Sequence, residues 1–221
     1  MPTVKGDKMD WKELAPKVKF TPFGSRTDMK TEYPGFSVWD WGTGRYAMVL
    51  GGMETEIDKG SILVADYEYE YSKQMQVPMD VGGMRRGLTF CILKHEDLKL
   101  PRVNLRNEAP VQKVFKRVIG KHDIYFAEDP EFSDRFEVQG PELEVHKIMT
   151  PELRKYFMQF FEYSPMRLEM KGDSLLLHFG RMIHPTDSHM LIYTAVSIAN
   201  FLMEGIVKYE IPSEMIFIGQ A

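Results

Sequence analysis

The sequence predicts an α+β protein: a mainly antiparallel sheet with two C-terminal helices packed on one face. Three features carry this. Runs of alternating apolar and polar residues, bounded by turn residues, mark half-buried strands. Apolar residues at helical spacing come late, in 150–164 and 187–204. Strands come in succession instead of alternating with helices, which argues for hairpins over parallel βαβ units.

The elements follow in order. Asp10 suits the N-cap of a short helix over "WKELA", which Pro16 ends. Residues 20–44, rich in Gly, Pro, Ser and Thr with aromatics between, read as an irregular wrap over a core. Trp39 and Trp41 flank Asp40 and fall on one face if this stretch is extended. "RYAMVLGGMETEID" and "SILVADYEYEY" read as strands joined by a turn at Lys59–Gly60. In the second strand Leu63, Ala65, Tyr67, Tyr69 and Tyr71 form an apolar stripe. The opposite parity, Ile62 and Val64, ends in Asp66, Glu68 and Glu70, expected to face water; a cation site on these acids is the lesser reading.

Residues 73–84 read as a loop, "RRGLTFCILKHE" as a buried strand, and 111–119 as a helix with an apolar stripe. "DIYFAEDPEFSDRFEVQG" reads as strand, tight turn, strand, with Asp129 and Pro130 as N-cap and first residue of one helical turn. "PELEVHKIM" is a short helix. Thr150 caps a longer one whose Leu153, Tyr156, Phe157, Phe160 and Phe161 share a face. Gly172–Asp173 is a two-residue hairpin turn. The last helix runs from about Asp187 to Glu204, with Leu191, Ala195, Ile198 and Leu202 inside and Gly205 as its C′ residue. "IVKYEIP" offers a final edge strand. Residues 1–20 are an N-terminal arm and 21–221 a single domain, divisible into halves at 21–120 and 121–221.

Composition limits the function. The 221 residues carry a net charge of −4, which argues against nucleic acid, whose binders show a basic footprint. Basic residues in 102–121 are followed by acidic residues in 128–144. Mutual neutralisation or solvated faces are the simpler expectation, a basic groove the alternative. Cys91 is the lone cysteine, so no intrachain disulfide or cysteine zinc cluster can form, and a reducing, cytoplasmic setting is expected. Within "LTFCILK" it reads as a buried, inert thiol. No apolar run reaches the length of a membrane span, and "MPTVKGDKMDW" has no secretory h-region.

The densest group of reactive side chains is "HFGRMIHPTDSHM". His178, His184, Asp187 and His189 are the candidate catalytic residues, for hydrolysis of a small or phosphorylated substrate. The simpler reading is structural: Thr186 or Asp187 caps the last helix. His178 and His184 would lie about 20 Å apart on an extended strand, and His184 and His189 are spaced by five, not the three or four that places two ligands on one helical face. No metal site or cofactor is expected. Arg85 and Arg86 in "GGMRRG" are the candidate anion-binding pair. The sixteen methionines read as core filling, or as the lining of a pocket for an apolar ligand.

Several stretches in order, "WKELAPKVKF", "GRYAMVLGGMETEIDKGSILVADYEY", "DPEFSDRFEVQG", "MTPELRKYF" and "MRLEMKGDSLLLHFGRMI", resemble an uncharacterised prokaryotic family, a domain of unknown function with a PEFSxRF-type motif. The resemblance covers about residues 11–205. It implies an α+β domain, no particular activity and no transferable catalytic residues. Other members often carry a membrane helix, which this sequence lacks. The motif also has a structural reading: Phe132 and Phe136 anchor a turn, and Arg135 pairs with a nearby acid.

The expectation is therefore a non-enzymatic binding or interaction module whose partner is a protein, a small molecule or a second copy of the chain. A histidine-based hydrolase and an apolar-ligand binder are the alternatives.

Overall fold

The structure, a computed structural model, describes residues 10–41, 46–71, 84–107, 123–160 and 166–205, together with 207 and 209. The expected loop at 73–84 (apart from Met84), the helix at 111–119 and most of the edge strand at 206–212 lie outside the described residues. Eight strands form one sheet: β1 Thr21–Phe23, β2 Ala47–Ile57, β3 Gly60–Tyr71, β4 Met84–His95, β5 Leu100–Asn107, β6 Phe136–Gln139, β7 Arg167–Gly172 and β8 Ser174–His178. Their order is β1-β2-β3-β4-β8-β7-β5-β6, and every neighbouring pair is antiparallel. The predicted α+β class with an antiparallel sheet is the one observed. The β7–β8 hairpin is inserted between β4 and β5, so strands from the two halves of the chain interleave.

Local chemistry explains the elements. Asp10 accepts a bond from Lys12 N and opens helix α1, Trp11–Leu14. β2 and β3 turn at Asp58–Lys59, one residue earlier than predicted, because Gly60 already pairs with Ile57. Lys171 pairs with Ser174, which leaves Gly172 and Asp173 as the predicted two-residue turn; Gly172 takes the positive φ of 61° that this turn needs. The wrap over 20–44 contains a short helix α2, Met29–Glu32, and a 3-10 turn over Ser37–Asp40.

The PEFS-type segment folds as its structural reading expects. Asp129 caps α3, Pro130–Arg135, by accepting from Phe132 N at 3.2 Å. Phe132 and Phe136 are buried and stack at 5.0 Å, and Arg135 pairs with Glu131 at 3.2 Å. The preceding residues 123–126 do not form the predicted strand, although Ile124 N reaches Val138 O. Helix α4, Glu142–Ile148, leads to α5, Pro151–Phe160, where Thr150 Oγ1 accepts from Leu153 N. The last helix, α6, spans Ser188–Leu202. It ends in a Schellman arrangement in which Gly205 N reaches Asn200 O. The left-handed residue at C′ is Glu204, φ 54°, and Gly205 is the next one along.

The sheet is packed on both faces. One face, with Met53, Ile62, Val64, Cys91, Leu93, Val103, Leu105, Leu168, Leu175 and Leu177, lies against α1 and the buried sides of α5 and α6. Leu191, Ala195 and Ile198 of α6 and Leu153 and Phe157 of α5 are fully buried there. The opposite face carries Val49, Leu63, Ala65, Tyr67, Tyr69, Leu88, Phe90, Ile92 and Leu176, and the wrap covers these with Met29, Tyr33, Phe36, Val38 and Trp39. Ile62–Ala65 of β3 are thus buried on both sides, while Asp66, Glu68 and Glu70 are partly exposed. Asp66 is not left to water as predicted: it accepts from Trp11 Nε1 at 2.9 Å and Thr89 Oγ1 at 2.5 Å. A carboxylate on the helix-covered face needs such donors.

Candidate functional site

The described residues of the wrap cover only part of the second sheet face. Beyond Trp41 and Ser37, the outer halves of β7, β5 and β6 present polar residues at alternate positions. Register places Arg167, Glu169, Asn104, Arg106, Glu137 and Gln139 on this face, since Arg106 pairs with both Arg167 and Glu137 and Asn104 with both Glu169 and Gln139. Together with Ser37, Leu105 and Leu168 they line a recess of about 190 Å³.

Most of its polar atoms are spoken for. Glu137, 2% exposed, takes Nε and Nη2 of Arg106 at 2.7–2.8 Å and Gln139 Nε2 at 2.6 Å. This pair joins the basic and acidic segments, as mutual neutralisation predicts. Glu169, also buried, accepts from Ser37 N at 2.6 Å and Ser37 Oγ at 2.7 Å, which ties the wrap to β7.

Arg167 differs. Its guanidinium lies 4.7 Å from the centre of the Trp41 ring, a cation–π contact. Burial, followed by the charge of Arg106, pushes its pKa below the ordinary arginine value. Among the described residues it makes neither a hydrogen bond nor an ion pair, and the same holds for the side-chain amide of Asn104 diagonally across from it.

The predicted histidine group does not converge. His178 is fully buried at the end of β8, edge-on to Trp41 at 5.0 Å. Its Nδ1 accepts from Gly180 N at 2.9 Å, which puts the proton on Nε2. Burial, then the charge of Arg167, lowers its pKa to about 3. His184 caps the 3-10 turn over Pro185–Asp187, accepting from Thr186 N and sharing a 2.7 Å bond with Thr186 Oγ1. The His189 Nδ1–H donates to Thr186 O at 2.7 Å. The capping side chain is thus His184, where Thr186 or Asp187 was expected; Asp187 makes no capping bond to α6. His184 and His189 meet at Thr186, while His178 sits apart in the core. Among the described residues no group of three or more His, Cys, Asp or Glu could hold a metal ion.

Arg85 and Arg86 lie in β4, on opposite faces of the sheet. Arg85 stacks on Tyr46 at 4.6 Å and pairs with Glu68 at 3.7 Å, and Arg86 is opposite Tyr69. Sequence reasoning missed the recess. Its weak signal was the alternation of Arg167, Glu169 and Lys171 along one side of β7.

No family model matches the chain, and no curated protein does. Among solved structures it is similar to the mycobacterial trehalose monomycolate transport factor A, with a TM-score of 0.60 and 10% identity over 93% of this chain and 99% of that one. At that identity the likeness establishes a shared fold. No helix among the described residues is long and apolar enough to cross a membrane.

Proposed function

We propose that the chain is a non-enzymatic binding module of a transport-assisting kind, which takes a polar group of its partner in the recess on β7, β5 and β6. One observation carries this. In a recess whose two carboxylates are already bonded, the side chains of Arg167 and Asn104 have no hydrogen-bond or ion-pair partner among the described residues. The structural role of the Nδ1 atoms of His178, His184 and His189 supports a binding over a hydrolytic reading. The near full-length likeness to a transport factor supports the transport-assisting part. Membership of the uncharacterised prokaryotic family, and a cytoplasmic setting for the reduced Cys91, belong to the same proposal.

The test is a panel of chromogenic esters and phosphomonoesters, run on the intact chain and on His184→Ala and His189→Ala. No turnover above buffer is expected from any of the three. Turnover that either substitution abolishes, with the fold intact, would replace this reading by the hydrolase.

A second reading, an apolar-ligand binder, is favoured by the trehalose monomycolate named for the structural neighbour. Native mass spectrometry of the purified chain decides it: a co-purified lipid supports it, and the bare chain mass counts against it.

A further inference from the structure

We infer that the recess recognises a singly charged oxyanion, a carboxylate or a phosphodiester, with Arg167 as the anion-binding cation and Asn104 bonding a neighbouring polar atom of the same ligand. This deepens the binding-module reading and rests on it.

The chemistry of the lining selects the ligand. A guanidinium offers a planar fork of N–H donors that matches two oxygens of one oxyanion. Arg106 has spent its fork on Glu137. Arg167 has no such partner among the described residues, and its contact with the Trp41 ring, 4.7 Å from the ring centre, leaves its N–H groups available. Partial desolvation and the charge of Arg106 disfavour the cation there, and the charge of Glu169 favours it, with the net effect unfavourable. An anion docked on Arg167 would offset the two unfavourable effects.

The charge of the ligand follows from the carboxylates. Arg106 neutralises Glu137 directly. Glu169 is held by the neutral N–H and O–H of Ser37, so its negative charge remains in the wall. One negative charge can be accommodated against Arg167, but the second charge of a phosphate dianion would face Glu169 at close range. The volume of about 190 Å³ suits a single small group and not a whole chain. Among the described residues the Asn104 amide has both a donor and an acceptor unused, which fits a hydroxyl or ester oxygen beside the anionic group.

Trp41 provides the readout, since it underlies Arg167. The full chain is titrated at neutral pH with glycerate, with dimethyl phosphate and with inorganic phosphate, following tryptophan emission and the Arg Nε–H resonances. Saturable binding of glycerate or dimethyl phosphate is expected, tighter than that of inorganic phosphate. Arg167→Gln should weaken it about tenfold or more, Asn104→Ala about threefold, and Arg167→Lys should restore only part of it. Circular dichroism confirms that each variant is folded. Vesicles of phosphatidylglycerol, with phosphatidylcholine as control, separate the sources. Arg167-dependent retention on the former points to a lipid headgroup, and binding of the free ions alone points to a soluble ligand. Equal affinity in Arg167→Gln, tighter binding of inorganic phosphate, or no saturable binding of either monoanion overturns the inference. That outcome leaves the binding module standing with its partner elsewhere, whereas ester or phosphoester turnover would sink the module reading without touching Arg167-dependent binding.

Discussion

Arg106 and Glu137 face each other across β5 and β6, and the carboxylate, almost wholly buried, receives two nitrogens of the guanidinium at 2.7–2.8 Å. Removing one member of such a pair leaves the other charge without compensation. Arg106→Ala is expected to destabilise the chain by about 3 kcal/mol, the lower end of that range because the arginine side chain is 35% exposed. The double variant Arg106→Ala/Glu137→Leu should recover much of the loss. Urea unfolding of the three proteins measures it, and a single variant as stable as the parent would refute the compensation argument.

Cys91 lies in β4 within the helix-side core, with no exposed surface, and burial raises its thiol pKa well above the ordinary value. Thiolate is the reactive form, so the folded chain should resist aromatic disulfide reagents at pH 8 and react fully in denaturant. The rate in native buffer should follow the opening of the core. A fast stoichiometric reaction of the folded chain would contradict the packing of β4.

Asp66 holds three parts of the molecule together. It bonds Trp11 of α1 and Thr89 of β4, and Thr89 Oγ1 in turn accepts from Ile183 N at 3.0 Å, in the segment before α6. Asp66→Ala leaves two buried donors without an acceptor and is expected to cost about 1–3 kcal/mol. The loss should be unevenly distributed: amide exchange should rise most in α1 and near Ile183, and least in the β7–β8 hairpin.

Much of the fold was legible because its signals are local. The Gly172–Asp173 turn is written in adjacent residues with alternating runs on either side, and Asp10, Asp129 and Thr150 announce the helices that follow them. Asp66 in β3 was misread for a nonlocal reason: it looks solvated until Trp11 and Thr89 arrive from 55 and 23 positions away. The recess is less legible still. Ser37 and Glus on β7 and β6 belong to separate segments, and Ser37 is 132 residues from Glu169. The inserted β7–β8 hairpin brings them together, and no periodicity within one segment encodes that insertion. The histidine cluster was conspicuous because its members are close in sequence. Strand β8 ends by burying one and the 3-10 turn uses another as its cap.

His178 gives the chain a defined sensitivity to acid. Its folded pKa of about 3 lies below the ordinary histidine value of 6.5, owing to burial first and Arg167 second. The unfolded chain therefore binds one more proton than the folded chain between those limits. By linkage, stability rises with pH through this window: the contribution is fully present above about pH 6.5 and is lost as pH falls toward 3. The slope from this residue is about 1.4 kcal/mol per pH unit well inside the window. His178→Gln cannot titrate, so the difference in unfolding free energy between parent and variant should shrink by about 1.4 kcal/mol from pH 5.5 to 4.5. Urea denaturation at the two pH values measures it. The other histidines and the carboxylates are common to both proteins and cancel in the comparison. An unchanged difference would mean that His178 takes up its proton within the folded core, and that the ring beside Trp41 is reached by water.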